Sequence, residues 1–122
     1  MSCEKCAPDD PVAAYAWSLD VRTVLVDDSH FIVSVRTCPA CRQVYVRVFA
    51  EFVDFANGED AQHIDQFAVT EAEAAALERG PVGVAELTAL ASGRRRLVSD
   101  WPSDAGRRVC WADGPAWLRE GH

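Results

Sequence analysis

Four of the five cysteines fall in two tight pairs, Cys3-Glu4-Lys5-Cys6 and Cys38-Pro39-Ala40-Cys41, and no other feature restricts the fold as much. A two-residue spacer lets the backbone curl until both sulfurs face one point about 2.3 Å away, and two such curls supply the four thiolates that tetrahedral zinc takes. The candidate metal ligands are therefore Cys3, Cys6, Cys38 and Cys41, and the expected cofactor is one structural zinc per chain. Four protein ligands close the coordination shell and leave no position for substrate, so the motif predicts architecture rather than catalysis.

The rest of the chain sets the context for those pairs. No run of roughly 18 apolar residues is present, and the N-terminus lacks the charged and apolar segments of a secretory signal, which gives the expectation of a cytoplasmic protein. A reducing compartment directs paired cysteines to metal rather than to disulfides. Half of the 122 residues are apolar and a quarter are charged, a composition that predicts one globular domain over 1–122. Cys110 has no CxxC partner and reads as an inert buried residue.

Local patterns predict an α+β fold. Asp10-Pro11 caps a short helix over Val12 to Leu19. Val21 to Val26 and Phe31 to Arg36 read as strands. Beyond Cys41, Val44, Val46 and Val48 alternate with Tyr45, Arg47 and Phe49, the period of a strand, which continues to Phe55 and is long enough to predict a bend or bulge. Asn57-Gly58 marks a turn and Ile64 to Val69 the returning strand. Thr70-Glu71-Ala72-Glu73 is a capping box that starts a helix running to Arg79, where Gly80 and Pro81 stop it. A further helix carries Val84, Leu87, Leu90 and Ala91 and ends at Gly93. A Trp-rich terminal hairpin is predicted from Leu97 to Trp101 and Arg107 to Trp111, turning over 102–106, with Trp117 and Leu118 docking the tail.

Cys38 and Cys41 thus join two β-prone runs. A redox CxxC needs a strand-to-helix junction, and Arg42-Gln43-Val44-Tyr45-Val46 is a strand pattern, so redox chemistry fits poorly. Here the chain, over residues 1–56, resembles the zinc-ribbon class, whose two CxxC knuckles at hairpin ends hold one structural zinc. Two departures mark it as an elaborated ribbon. Arg42 stands where a glycine is common, and 31 residues separate Cys6 from Cys38. The resemblance implies an antiparallel sheet grown from a zinc-ribbon knuckle.

Charge suggests where partners bind. The net charge is -7, and Glu51, Asp54, Glu59, Asp60 and Asp65 surround the Asn57-Gly58 turn. They read as a solvated acidic edge for a basic protein partner rather than a catalytic centre, because neighbouring strand positions point to opposite faces. The expected function is a noncatalytic, acidic protein-interaction module, similar in kind to bacterial immunity or adaptor proteins. A second expectation is a nucleic-acid-binding or transcription-associated factor using Arg94, Arg95, Arg96, Arg107 and Arg108. A helix-turn-helix-like stretch would have the first three open a recognition helix, but Pro102 and the strand pattern of Leu97, Val98 and Trp101 favour arginines that complement the dipole of the preceding helix. The third is a small enzyme using the acidic turn or Cys110, for example paired with His63. No HxxxH pair, GxSxG or Gly-rich phosphate loop is present.

Overall fold

Alternation of valines with larger residues in Val44–Phe52 makes this segment the centre of the molecule. A computed structural model of the chain describes residues 2–52, 61–101, 106–116 and 118. Among these, helix α1 (Pro11–Ala16) is followed by strands β1 (Asp20–Asp28), β2 (Phe31–Thr37), β3 (Val44–Phe52) and β4 (Ala61–Val69), helices α2 (Glu71–Glu78) and α3 (Val84–Ala91), and strands β5 (Arg96–Trp101) and β6 (Arg108–Ala112). The strands form one antiparallel sheet in the order β1-β2-β3-β4-β5-β6. Each strand pairs with its neighbour in sequence, and the two helices are inserted between β4 and β5.

Strand periodicity sorts residues onto two faces. On one, Val33 and Val35 of β2, Val46 and Val48 of β3, and Phe67 and Val69 of β4 make the main core with Ala74, Leu87 and Ala91 of the two helices. Ala116 and Leu118 bury into the same cluster, so the docking expected of Leu118 is met; Trp117 lies outside the described residues. The opposite face holds a smaller cluster of Cys6, Leu19, Cys38 and Tyr45, with Trp17 and Ala68 packed against it. Helix α1 lies against β5 and β6 on this second face, where the Trp111 indole donates to the carbonyls of Pro8 and Asp9 at 3.0 and 3.2 Å.

Two expectations need correction. The first helix is shorter than Val12 to Leu19: after the Asp10 carboxylate caps Val12 N, the chain becomes extended at Trp17. That early exit sends Trp17 and Leu19 into the cysteine cluster. β3 pairs without a break through Phe52, and positions 53–55 of the strand expected to bend lie outside the described residues. The sequence did not point to the register shifts of β1, between Val21 and Thr23 and between Val24 and Val26. β1 is an edge strand, where bulges discourage pairing with other chains. Finally, Arg96 opens β5, the strand expected from Leu97 to Trp101, which removes the alternative of a recognition helix at Arg94 to Arg96. The Asn57-Gly58 turn and most of the turn over 102–106 lie outside the described residues.

The capping box forms as the sequence implies: Glu73 N donates to the Thr70 hydroxyl while Thr70 N donates to the Glu73 carboxylate. Gly93 adopts a φ of 80° directly after α3, a left-handed conformation that glycine takes without steric cost. No helix among the described residues is long and apolar enough to cross a membrane.

Candidate metal centre

The two cysteine pairs fold by the same local device. Cys38 leaves β2, and its carbonyl accepts from Arg42 N at 2.9 Å while its own N–H donates to the Gln43 carbonyl. Cys3 does the equivalent, accepting from Ala7 N at 2.8 Å. Each pair is thus one turn closed by a five-residue hydrogen bond, which puts both sulfurs on its inner side. The second turn requires φ of 68° at Arg42. That backbone state explains why glycine suits this position, and a side chain there costs roughly 1 kcal/mol or more. The Gln43 amide donates to the carbonyls of Val44 and Val69, fixing the turn against β4.

The four sulfurs lie within 4.8 Å of one another. Cys3 to Cys6 is 3.8 Å, Cys3 to Cys38 is 3.9 Å and Cys6 to Cys41 is 3.7 Å. A tetrahedron with metal–sulfur bonds of about 2.3 Å has edges of about 3.8 Å. Disulfides would bring sulfurs to about 2.05 Å. Three of the six sulfur–sulfur edges therefore match a tetrahedral four-thiolate shell, all six are within 4.8 Å, and the cluster could hold a metal ion. Cys6 and Cys38 are buried, and Cys3 and Cys41 are half-buried.

Donors around the cluster favour thiolates. The Tyr45 hydroxyl donates to Cys6 Sγ at 3.0 Å, the Trp17 indole to Cys38 Sγ at 3.4 Å and the Cys3 amide to Cys6 Sγ at 3.4 Å. Burial pushes the Cys38 thiol up, but the Cys41 amide, the Trp17 indole and the Ala40 amide together outweigh it and bring the group down to about 6. Burial pushes Cys41 up to about 12, reinforced by its sulfur neighbours. Burial also raises Cys6. A cation among the sulfurs would offset this, since a coordinated thiol loses its proton outright. Lys5 Nζ lies 5.1 Å from the Trp17 ring and adds positive charge beside the site.

Trp17 and Tyr45 were absent from the sequence-based candidates. Tyr45 was legible only as a strand residue; the available signal was that a buried phenol needs a partner for its hydroxyl.

The other candidate residues are dispersed. Glu51 is half-buried and accepts from Gln62, with His30 at 3.4 Å. Asp65 belongs to the opposite face, is 4% exposed and pairs with His63 at 2.8 Å and Arg96 at 3.8 Å. These two carboxylates therefore share no surface; Asp54, Glu59 and Asp60 lie outside the described residues. Arg94 is bound to both oxygens of Glu73 and to the Ala68 carbonyl. Arg96 is buried and donates to the carbonyls of Ala91, Arg94, Gly114 and Pro115. Arg95 stacks on Trp111, and Arg107 contacts the rings of Tyr15 and Trp101 while donating to Ser99 and Gln62. Arg108 is exposed and faces Asp100 at 3.5 Å. Cys110, expected to be buried, is instead exposed, because it lies on the edge strand β6, where it pairs with Val98. His63 pairs with Asp100 on β5, which leaves a strand between His63 and Cys110.

No protein-family model, no curated protein and no solved structure matches the chain.

Proposed function

We propose that this chain is a noncatalytic protein built around one structural zinc, with the zinc-ribbon type of double knuckle, and that it acts by binding another macromolecule. The observation that carries the metal assignment is the gathering of all four sulfurs within 4.8 Å, with three of the pairs at 3.7 to 3.9 Å, the edge length of a tetrahedral four-thiolate shell. Zinc is favoured over other divalent ions by four soft ligands in a tetrahedral arrangement, and iron is the competing occupant. The closed shell argues for scaffolding rather than chemistry.

The partner is a basic protein surface, attracted by the net charge of -7. Asp20, Asp27 and Asp28 of β1 are exposed and present carboxylates along that edge. Nucleic acid is the weaker candidate. Of its five proposed arginines, Arg94 is paired with Glu73, Arg96 is buried against backbone carbonyls and Arg107 lies against two aromatic rings. This leaves Arg95 and Arg108 as the exposed cations, the latter facing Asp100, a small patch for phosphates.

The structural role is tested by thermal unfolding of the purified chain with and without a strong chelator. Binding free energies of such sites are about 10 kcal/mol or more, so metal withdrawal lowers the melting temperature sharply. An unchanged melt after the metal has been removed overturns the assignment.

A further inference from the structure

On the face of the sheet opposite α2 and α3, a cleft of about 230 Å³ is lined by Ile32, Ser34 and Arg36 of β2, Arg47 and Phe49 of β3, and Ile64 of β4. Strand register places its parts. Arg47 sits across from Ser34, and Phe49 sits across from both Ile32 and Ile64. The guanidinium groups thus occupy one end of the cleft and the apolar side chains the other.

The two arginines are held but not neutralised. Arg36 Nε donates to the Ser34 hydroxyl at 3.0 Å, and Arg47 Nε donates to the Gln66 side-chain oxygen at 2.9 Å. Among the described residues, neither guanidinium has a carboxylate partner or a further hydrogen bond from its terminal nitrogens. The nearest described acid along this face of β3, Glu51, is occupied by Gln62 and His30. Both arginines are half-buried. Burial and the charge of Arg36 together bring the Arg47 guanidinium down to about 10.

This arrangement is costly in a chain with 19 acids and 12 lysines and arginines. Elsewhere Arg22 is paired with Glu71 and Glu78, and Arg94 with Glu73. A partly buried charge without a counterion is unfavourable, and two adjacent like charges are more so. Two guanidinium forks fixed at Nε with free terminal nitrogens form a receptor for a planar or tetrahedral oxyanion.

We propose that the Arg36–Arg47 pair binds a small organic anion, its carboxylate or phosphate held by the two guanidiniums and its apolar body lying on Ile32, Phe49 and Ile64. The volume is below the roughly 300 to 1,000 Å³ of drug-sized sites, which limits the ligand to about the size of a single substituted ring. This site is separate from the metal centre and does not depend on the identity of the macromolecular partner.

The test is a proton–nitrogen NMR titration of the full metal-loaded chain with phenylacetate and, separately, phenyl phosphate. Expected are saturable shifts of the Arg36 and Arg47 Nε–H signals and of the Phe49 and Ile64 amides, with a dissociation constant of about 1 mM or tighter. The tighter of the two probes assigns the headgroup. Arg36→Gln and Arg47→Gln each weaken binding about tenfold or more, and Arg47→Lys, which keeps the charge but not the fork, also weakens it. Benzyl alcohol, the neutral analogue, leaves the signals in place. The proposal is overturned by the absence of saturable shifts with either anion, or by undiminished binding in Arg36→Gln/Arg47→Gln protein that keeps its metal. Inorganic phosphate binding as tightly as phenyl phosphate overturns the apolar half of the site.

Discussion

Arg42 shows how one residue reveals the demands of a fold. Its φ of 68° is the conformation that the closing residue of the second cysteine turn must adopt, and arginine adopts it at a cost that glycine does not incur. Arg42→Gly regains about 1 kcal/mol of backbone strain but loses about 0.5 to 1 kcal/mol to the freer unfolded chain. The expected result is unchanged metal content and a urea midpoint close to that of the parent. Arg42→Val, branched at Cβ, costs about 1 to 3 kcal/mol and loosens the metal. Tyr45 tests the surroundings of the sulfurs. Removing only its hydroxyl in Tyr45→Phe deletes the 3.0 Å bond to Cys6, and loss of such an outer contact lowers metal affinity about tenfold or more. Competition with a chromogenic chelator measures it; equal retention in both proteins would show that the phenol contributes only packing.

At the scale of elements, α2 is fastened at its N-terminus. The Glu73 carboxylate is held down to about 2, first by the Arg94 guanidinium and then by the Thr70 amide. A carboxylate whose folded value lies below its unfolded one stabilises the protein above the unfolded value, and that stability is lost as pH falls through the folded value. Stability therefore declines from about pH 5 towards pH 2, and Glu73→Gln flattens part of this decline in urea melts recorded across the range. An identical pH profile in the variant would remove Glu73 from the account. Sequence reasoning located this cap because its signature is local, as are the strand alternation around Val44 and the stops at Gly80 and Gly93. It overextended α1 and missed the register shifts of β1 because those depend on packing: β1 is shifted against its β2 neighbour, and the chain leaves α1 early so that Trp17 can reach Cys38.

Across the whole molecule, legibility follows the range of the interaction. The four cysteines were recognisable because each pair carries its own spacing, and strand pairing only had to bring the pairs together. The acidic residues were harder to interpret, since Glu51 and Asp65 are near in sequence but parity and register put them on opposite faces. The arginines near the C-terminus resembled a basic patch, yet Glu73, backbone carbonyls and aromatic rings take up three of them. Conversely, Arg36 and Arg47, 11 positions apart, become neighbours only through the β2–β3 register. The candidate metal centre is where these scales meet: residues 2–19 return to the sheet through Cys3, Cys6, Trp17 and Leu19, so an ion held there would tie this segment to the second face.

The most direct test is the metal content of the purified full chain and of Cys38→Ser, measured side by side by mass spectrometry of the elements. The account predicts one zinc per chain in the parent and its loss in the variant. Parent protein free of zinc, or zinc retained undiminished in Cys38→Ser, would contradict it.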